Sequence, residues 1–494
     1  MSNTAAPLKR APIVASLILA AFVALLAQTL LNVALPTIER DLNISHNTVQ
    51  WLITGYMLVN GILIPISAYL IERFTTRRLF IIAVSLFTIG TILGAIAHNF
   101  ELLLIGRIVQ AAGAGILMPL MSIVFLTIFP VEERGKAMGM MGLAMIFAPA
   151  VGPTLSGWIV EHHSWRVLFY ILLPLALFSL IYGAYAMKNV TRNAKTNLDY
   201  LAVVLSTLGF GGLLYGFSDA GTDGWDNSRV YGSLIVGVVS LILFVWRQLA
   251  VAKPILEMRV FKYDMYSLTT VINVIITMAM FSGMVLLPIY LQNIRGFTPV
   301  ESGLLLLPGA ILMGIMSPIT GIIFDKVGAR WLSVVGLLIT VFTTFEFSKL
   351  TDDTSYSFLL LMYSLRMFGM SMLMMPIQTA GMNQLPRTLN AHGSAMSQTL
   401  RNVAGALGTA FLVTIMTNRA ADETKRMIIA NGVNPEDKTA MAPIIQEATI
   451  YGINHSFIVA TWMSIAALVL AFFIRKVKPH EEAAPQVQQA KSHG

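Results

Sequence analysis

The 494-residue sequence contains no cysteine, so neither a disulfide framework nor a thiolate metal site is open to it. Charge is scarce too: 12% of residues are Asp, Glu, Lys or Arg, against roughly 25% in an average soluble domain. Apolar length takes its place. Hydrophobic residues make up 56% and the mean hydropathy is +0.72, the profile of a polytopic membrane protein. No cleaved signal peptide is expected. The apolar run from Pro12 to Pro36 exceeds the roughly 7–15 residues of a signal core, and no small-residue cleavage site closes it. It is expected to remain as a membrane span.

Fourteen apolar runs between residues 13 and 474 are long enough to cross a bilayer. With both termini cytoplasmic, 21 of the 33 Lys and Arg residues fall inside and 9 outside, the bias that sets topology. The net charge of +8 is therefore a membrane signature; no basic stripe with interleaved aromatics remains for nucleic acid. His98, His162, His163, His392 and His455 sit at loops or span ends without acidic clusters, so no metal or other cofactor is expected. Gly135-Lys136 is followed by Ala137 and lacks the upstream glycine of an ATP-binding loop. The glycines at 209, 211, 212 and 216 lie within an apolar span, where helix packing accounts for them.

Three recurrences share nearly one offset: Glu72 with Asp325, Arg107 with Arg366, and Gly135 with Gly393. They argue for an internal duplication with six spans per half and two extra spans between. The expected domains are 1–190 (a six-helix bundle), 191–252 (two extra helices), 253–478 (a second six-helix bundle with an interfacial linker and a long outer loop, 418–453) and 479–494 (a polar tail). Within the fifth span, Gly139–Trp158 combines Pro149 and Pro153 with a small-residue stripe, Ala144, Ala148, Gly152 and Ser156. Such a stripe lets helices approach closely. It reads either as a tightly packed kinked helix or as a pivot and seal in a moving transporter.

Thr29-Leu30-Leu31-Asn32-Val33-Ala34-Leu35-Pro36, Leu104-Ile105-Gly106-Arg107-Ile108-Val109-Gln110, Gly139–Gly157, Tyr290-Leu291-Gln292 and Gly303–Gly309 together resemble the signatures of the major facilitator superfamily. The similarity is to its fourteen-span drug:proton antiporters, nearest the lincomycin-type multidrug exporters of Gram-positive bacteria. It implies an all-α fold of two six-helix bundles plus two helices, and a multi-pass protein of a bacterial cell membrane. The antiporter motif maps onto Gly139, Gly142, Pro149, Gly152, Pro153 and Gly157. Arg107 would take part in proton coupling or, alternatively, bond backbone carbonyls. Glu72, Arg73, Arg77 and Arg78, with Asp325, Lys326 and Arg330 in the second half, would latch the bundles, where the alternative is a topology signal only. Ala68, Glu72 and Thr75 replace the usual Gly, Asp and Gly. Ala27 stands where related antiporters often carry an aspartate, so the proton site must lie elsewhere.

Glu346 is the carboxylate that reads as lying well inside a span, near its outer side, and desolvation there would suit it to load protons. Its alternative is a static ion pair with Arg366. Asp199, Asp219 and Asp264 sit at span ends and read as solvated. Arg401, with Gln398 and Asn402, could touch the cavity or a lipid headgroup, or be structural. Gln28, Asn32, Tyr56, Gln110, Gln292 and Gln378 are candidate cavity residues by depth and polarity. The 28 methionines suit a promiscuous surface and serve equally as apolar filler. The resulting expectation is proton-driven efflux of lipophilic, possibly cationic, small molecules by alternating access. Its partners are small-molecule substrates, protons and membrane lipid, with no nucleic acid and no obligatory protein partner. Export of a lipid or metabolite is one alternative; a polytopic membrane enzyme is another, without the clustered acids or histidines it needs.

Overall fold

The computed structural model describes residues 10–190, 198–252, 254–434 and 437–475. The side chains of Ala144 and Pro153, within a helix, lie outside the described residues, as does the tail beyond residue 475. Fourteen helices are long and apolar enough to cross a membrane, and the described residues contain no strand. In chain order they are α1 (Arg10–Leu42), α2 (His46–Arg73), α3 (Thr76–Ala95), α4 (Phe100–Ile128), α5 (Arg134–His162), α6 (Arg166–Ala186), α7 (Tyr200–Asp223) and α8 (Ser228–Ala250). Then follow α9 (Asp264–Ile294), α10 (Pro299–Val327), α11 (Ala329–Glu346), α12 (Tyr356–Gln384), α13 (Asn390–Asn431) and α14 (Lys438–Ala471). We call the face where α1 begins and α14 ends the terminal face.

Local chemistry starts these helices where the apolar runs begin. Ser45, Thr75, Asn99, Asp199, Ser355 and Asp437 each accept a backbone N–H of the first turn, and Thr298 with Glu301 forms a capping box. Prolines disturb two helices of the second half. Around Pro288, α9 opens into wide π-type turns at Ser282–Leu286 and Tyr290–Ile294. Ahead of Pro376, α12 breaks at Met372 and Leu373, and the Thr320 hydroxyl of α10 donates to the carbonyl of Ser371 at 2.9 Å. Protein thus satisfies backbone that lipid cannot.

Buried apolar residues gather into two large clusters. One runs from Ile13 to Met187 and takes in Met375 and Ala391 from the other half; the second runs from Met265 to Ile474. The bundles α1–α6 and α9–α14 meet along two seams, α5 against α10 and α2 against α13. The pair α7–α8 flanks the second seam, with α7 touching both α2 and α13. The outer segment 418–453 is largely helix: α13 continues to Asn431, stops at Gly432 in the left-handed region (φ 58°), and α14 begins at Lys438. In the linker after α8, Ile255, Leu256 and Val260 are buried against α2, α7, α9 and α12–α13 neighbours, while Phe261 stays exposed.

Candidate functional site

Arg107 is buried on α4, and every contact it makes is with a neutral group. Its Nε donates to Leu52 O at 3.3 Å, and Nη1 donates to Ala27 O at 3.3 Å and to Gln110 Oε1 at 2.6 Å. The guanidinium lies over the Tyr56 ring, 4.1 Å from its centroid. Gln110 in turn donates to Thr91 Oγ1 at 2.9 Å, and the Tyr56 hydroxyl to Ala24 O at 3.4 Å. An unpaired charge at that depth costs about 2.5–3.5 kcal/mol or more; carbonyls of α1 and α2, an amide and a π face offset it. Tyr56 and Gln110, expected in the cavity, are thus committed to holding Arg107. The carbonyl of Ala27, where relatives often place a carboxylate, is one of the acceptors.

Arg366 is the counterpart in the second half. Its Nη2 donates to Ala279 O at 2.9 Å and Ser282 Oγ at 3.0 Å, both on α9. Its Nε and Nη1 are sealed from solvent without an acceptor, and Gly283 packs directly on Nη1, leaving no room for a side chain. The alternative ion pair with Glu346 does not exist. Glu346 is the last residue of α11, partly exposed, and its carboxylate accepts from Lys349 Nζ at 2.7 Å. The apolar run through Trp331–Leu350 concealed that the α-helix stops at Glu346 and turns into a short 3-10 segment, Phe347–Lys349.

The motif helix α5 uses two faces. Toward α1, Ser156 Oγ donates to Leu30 O at 2.5 Å and Thr29 Oγ1 to Ala148 O at 3.4 Å, while Gly152 abuts the Thr29 side chain. Toward α10, Ser317 Oγ donates to Gly139 O at 3.0 Å, and Gly142 lies against Ser317 and Met375. Gly157 meets Val300 near the opposite face, and the helix continues through Pro149.

At the terminal face the two seams are closed by charged groups. Asp325 on α10 accepts from the backbone N–H of Gly135 at 2.8 Å and of Lys136 at 3.0 Å, the first turn of α5. Buried Arg134 beside it donates from Nη1 to Asn383 Oδ1 of α12 at 3.0 Å and from Nη2 to Leu126 O at 2.9 Å. On the other seam Glu72 of α2 meets His392 Nε2 of α13 at 3.0 Å. Three other latch candidates make contacts within their own halves. Arg77 donates its backbone N–H to Asn189 Oδ1 at 3.2 Å, Arg78 stacks on Phe74, and Arg330 stacks on Trp331.

Of the remaining cavity candidates, Gln28 is half-buried and Asn32 exposed on one face of α1, and Gln292 is exposed in the last turn of α9. Gln378 accepts from Arg401 Nη1 at 3.0 Å. Asp199 is not solvated as expected: it accepts from Arg247 Nε at 2.9 Å and Ala202 N–H at 3.2 Å. Burial pushes its carboxyl up, but these hydrogen bonds outweigh that and hold it below the usual carboxylate range. Asp264 sits with Gln384 at the start of α9. Among the described residues no group of three His, Asp or Glu side chains could hold a metal. Sequence reasoning missed His392 and Arg134 as cross-seam residues. One signal was there: the two positions are related by the Gly135–Gly393 offset.

Comparisons with known proteins give a consistent picture. The sequence pattern described as Major Facilitator Superfamily matches residues 17–409. The chain is 51% identical over 479 residues to the uncharacterized MFS-type transporter YcnB of Bacillus subtilis, covering 97% of this chain and 98% of that one. It is 45% identical over 469 residues to the lincomycin resistance protein LmrB of the same organism, covering 94% and 96%. Among solved structures, the human organic anion transporter MFSD10 superposes with a TM-score of 0.64 at 12% identity, over 92% of this chain and 99% of that one, a likeness of fold alone.

Proposed function

This chain belongs to the major facilitator superfamily, and from that premise we propose that it exports lipophilic small molecules from a bacterial cell by proton-driven alternating access. Its relatives include proteins named for lincomycin and multidrug resistance, and antibiotic-like cargo is the expectation carried over from them. The observation that carries the reading is the pair of seams between two homologous bundles. Each is closed at the terminal face by a carboxylate that reaches a partner on the opposite bundle, Asp325 at α5 and Glu72 at His392. Contacts of this kind, few and polar, can be exchanged for hydrated states at modest cost while the bundles stay intact, as rocking about a midplane site requires.

The terminal face is the cytoplasmic one in this reading, since 21 of 33 basic residues gather there. The latch then closes the cavity toward the cytoplasm, and the exposed side of α1 at Asn32 belongs to the path outward. Arg107 fixes α1, α2 and α4 to one another, a positioning role that keeps the first bundle rigid through the cycle. Glu346, with Lys349 at the outer end of α11, and Arg366 are the groups we assign to proton exchange near the outer surface. The test is uptake into everted membrane vesicles of lincomycin and a panel of lipophilic dyes, with and without an imposed pH gradient. Uptake that the gradient drives and an uncoupler abolishes is expected; uptake indifferent to the gradient removes the antiport reading. Unchanged drug-induced proton release in Glu346→Gln removes Glu346 from it.

A further inference from the structure

Among the described residues, the charge buried at depth within the spans is of one sign. Three arginines are buried at depth in the helices, Arg107 on α4, Arg366 on α12 and Arg401 on α13. None has a carboxylate within 4 Å among the described residues. The acids nearest the apolar interior lie at helix ends: Glu346 is the last residue of α11, Asp325 the third from the end of α10, and Asp219 within the last five of α7. Glu423 and Glu447 belong to stretches of α13 and α14 that overrun a bilayer, since α13 alone has 42 residues and spans roughly 63 Å.

The three arginines differ in what is left for a ligand. Arg107 is consumed by carbonyls, Gln110 and the Tyr56 ring. Arg366 is sealed, with Gly283 against its free Nη1. Arg401 alone keeps an open side. Its residue is 8% exposed; Nη1 donates to Gln378 Oε1, whereas Nε and Nη2 take no protein acceptor and are not among the polar atoms cut off from solvent. One turn of α13 brings Gln398 beside it, half-buried and with no hydrogen-bond partner among the described residues. The remaining sides of α13 are occupied by α2, α7, α9, α14 and α4. This leaves the Arg401 face to the bundle interior.

We propose that Arg401, with Gln398 and Gln378, is the head-group site for an amphiphilic anion, and that the cargo is a lipophilic carboxylate or a similar singly charged anion. The proposal rests on the export reading above and narrows it, replacing the cationic cargo that composition left open. A guanidinium with two free N–H donors and a flanking amide matches a carboxylate, and the helix that carries Gln378 supplies Met367, Met370, Met372, Met374 and Met375, apolar side chains that adapt to varied tails. A lipophilic cation entering the same space meets the Arg401 guanidinium in a low-dielectric medium and no counter-ion. An anion leaving the cell also moves down the inside-negative potential.

The test uses the full chain in phospholipid nanodiscs, read by equilibrium binding of dansylundecanoate and of tetraphenylphosphonium. Saturable binding of the carboxylate, not displaced by the cation, is expected for the wild type. Arg401→Gln should weaken it about tenfold or more, the size of one charge-assisted hydrogen bond, and Gln398→Ala by less. Arg401→Lys, which keeps the charge and loses the fork, should fall between. Equal or tighter binding of the cation, no saturable carboxylate binding, or an Arg401→Gln protein of wild-type melting temperature that binds unchanged would each overturn the proposal. The wild-type preference decides the question even if the variant does not fold. Binding is measured without transport, so a chain that binds the carboxylate yet moves no solute in vesicles sinks the export reading and leaves the anion site standing.

Discussion

At the α5–α10 seam, Asp325 accepts two backbone N–H groups at the start of a helix; at the α2–α13 seam, Glu72 reaches a side chain, His392. Similar sequence offsets relate the two, Glu72 to Asp325 and Arg134 to His392. Backbone capping works in the first because no side chain intervenes: Gly135 and Gly321 pack backbone to backbone, and Gly139 faces the Ser317 carbonyl. In the second, the space beside Gly393 is taken by Leu385 rather than by Glu72, so the acid turns to the imidazole instead. One seam is therefore a steric fit reinforced by a helix dipole. Its twin depends on a group that is charged only when protonated.

The largest effect is expected where backbone meets backbone. A Cβ at Gly139 would stand 2.5 Å from Ser317 O, so Gly139→Val should cost about 1–3 kcal/mol at the closed seam and abolish efflux. A disulfide trapped across the seam in wild type, from a cysteine pair added to this cysteine-free chain, should fail to form in the variant. Gly152→Val strikes the Thr29 side chain of α1, within one bundle. It should likewise abolish efflux yet leave the cross-seam disulfide forming; loss of both would merge the two faces of α5 into one.

Next comes Asp325→Asn, which keeps shape but loses the charge that the α5 N-terminus favours. About 1–2 kcal/mol of the closed state should go, a roughly tenfold fall in its population by spin-label distances across the seam. Glu72→Gln is smaller, about 0.5–1 kcal/mol, since Glu72 is partly solvated. The two seams then separate by partner. His392→Ala removes the side chain that Glu72 meets and should lengthen spin-label distances across α2–α13 while leaving those across the Asp325 seam unchanged. Equal loosening of both seams would break the comparison.

The smallest effect on transport belongs to Asp199, which combines both chemistries away from either seam. Its folded pKa is depressed, so its contribution is present above the unfolded value near 4 and is lost as pH falls through the folded one. Asp199→Ala should therefore cost about 1 kcal/mol of thermal stability, equally across neutral pH, without touching transport.

Much of the site was readable as residue types but not as partnerships. Arg107, Gln110 and Tyr56 stood out as polar groups at depth, yet only the meeting of α1, α2 and α4 made them one network. Glu346 and Arg366 looked like a pair because both fall in the outer parts of consecutive spans. The end of α11 at Glu346 put Lys349 within reach and separated the acid from Arg366. His392 looked like a loop histidine, and the helix that begins at Asn390 turned it toward Glu72.

By itself the sequence determined the class, the fourteen spans and the family. Each follows from local and additive properties: apolar length against bilayer thickness, recurring spacing, and motifs read residue by residue. The tertiary structure alone decided which charges meet. A buried guanidinium takes whatever acceptor the neighbouring helices present, and that depends on helix rotation and crossing to within an ångström, which no single span encodes. So Asp325 found a backbone, Glu72 found an imidazole, and Arg401 kept two donors free.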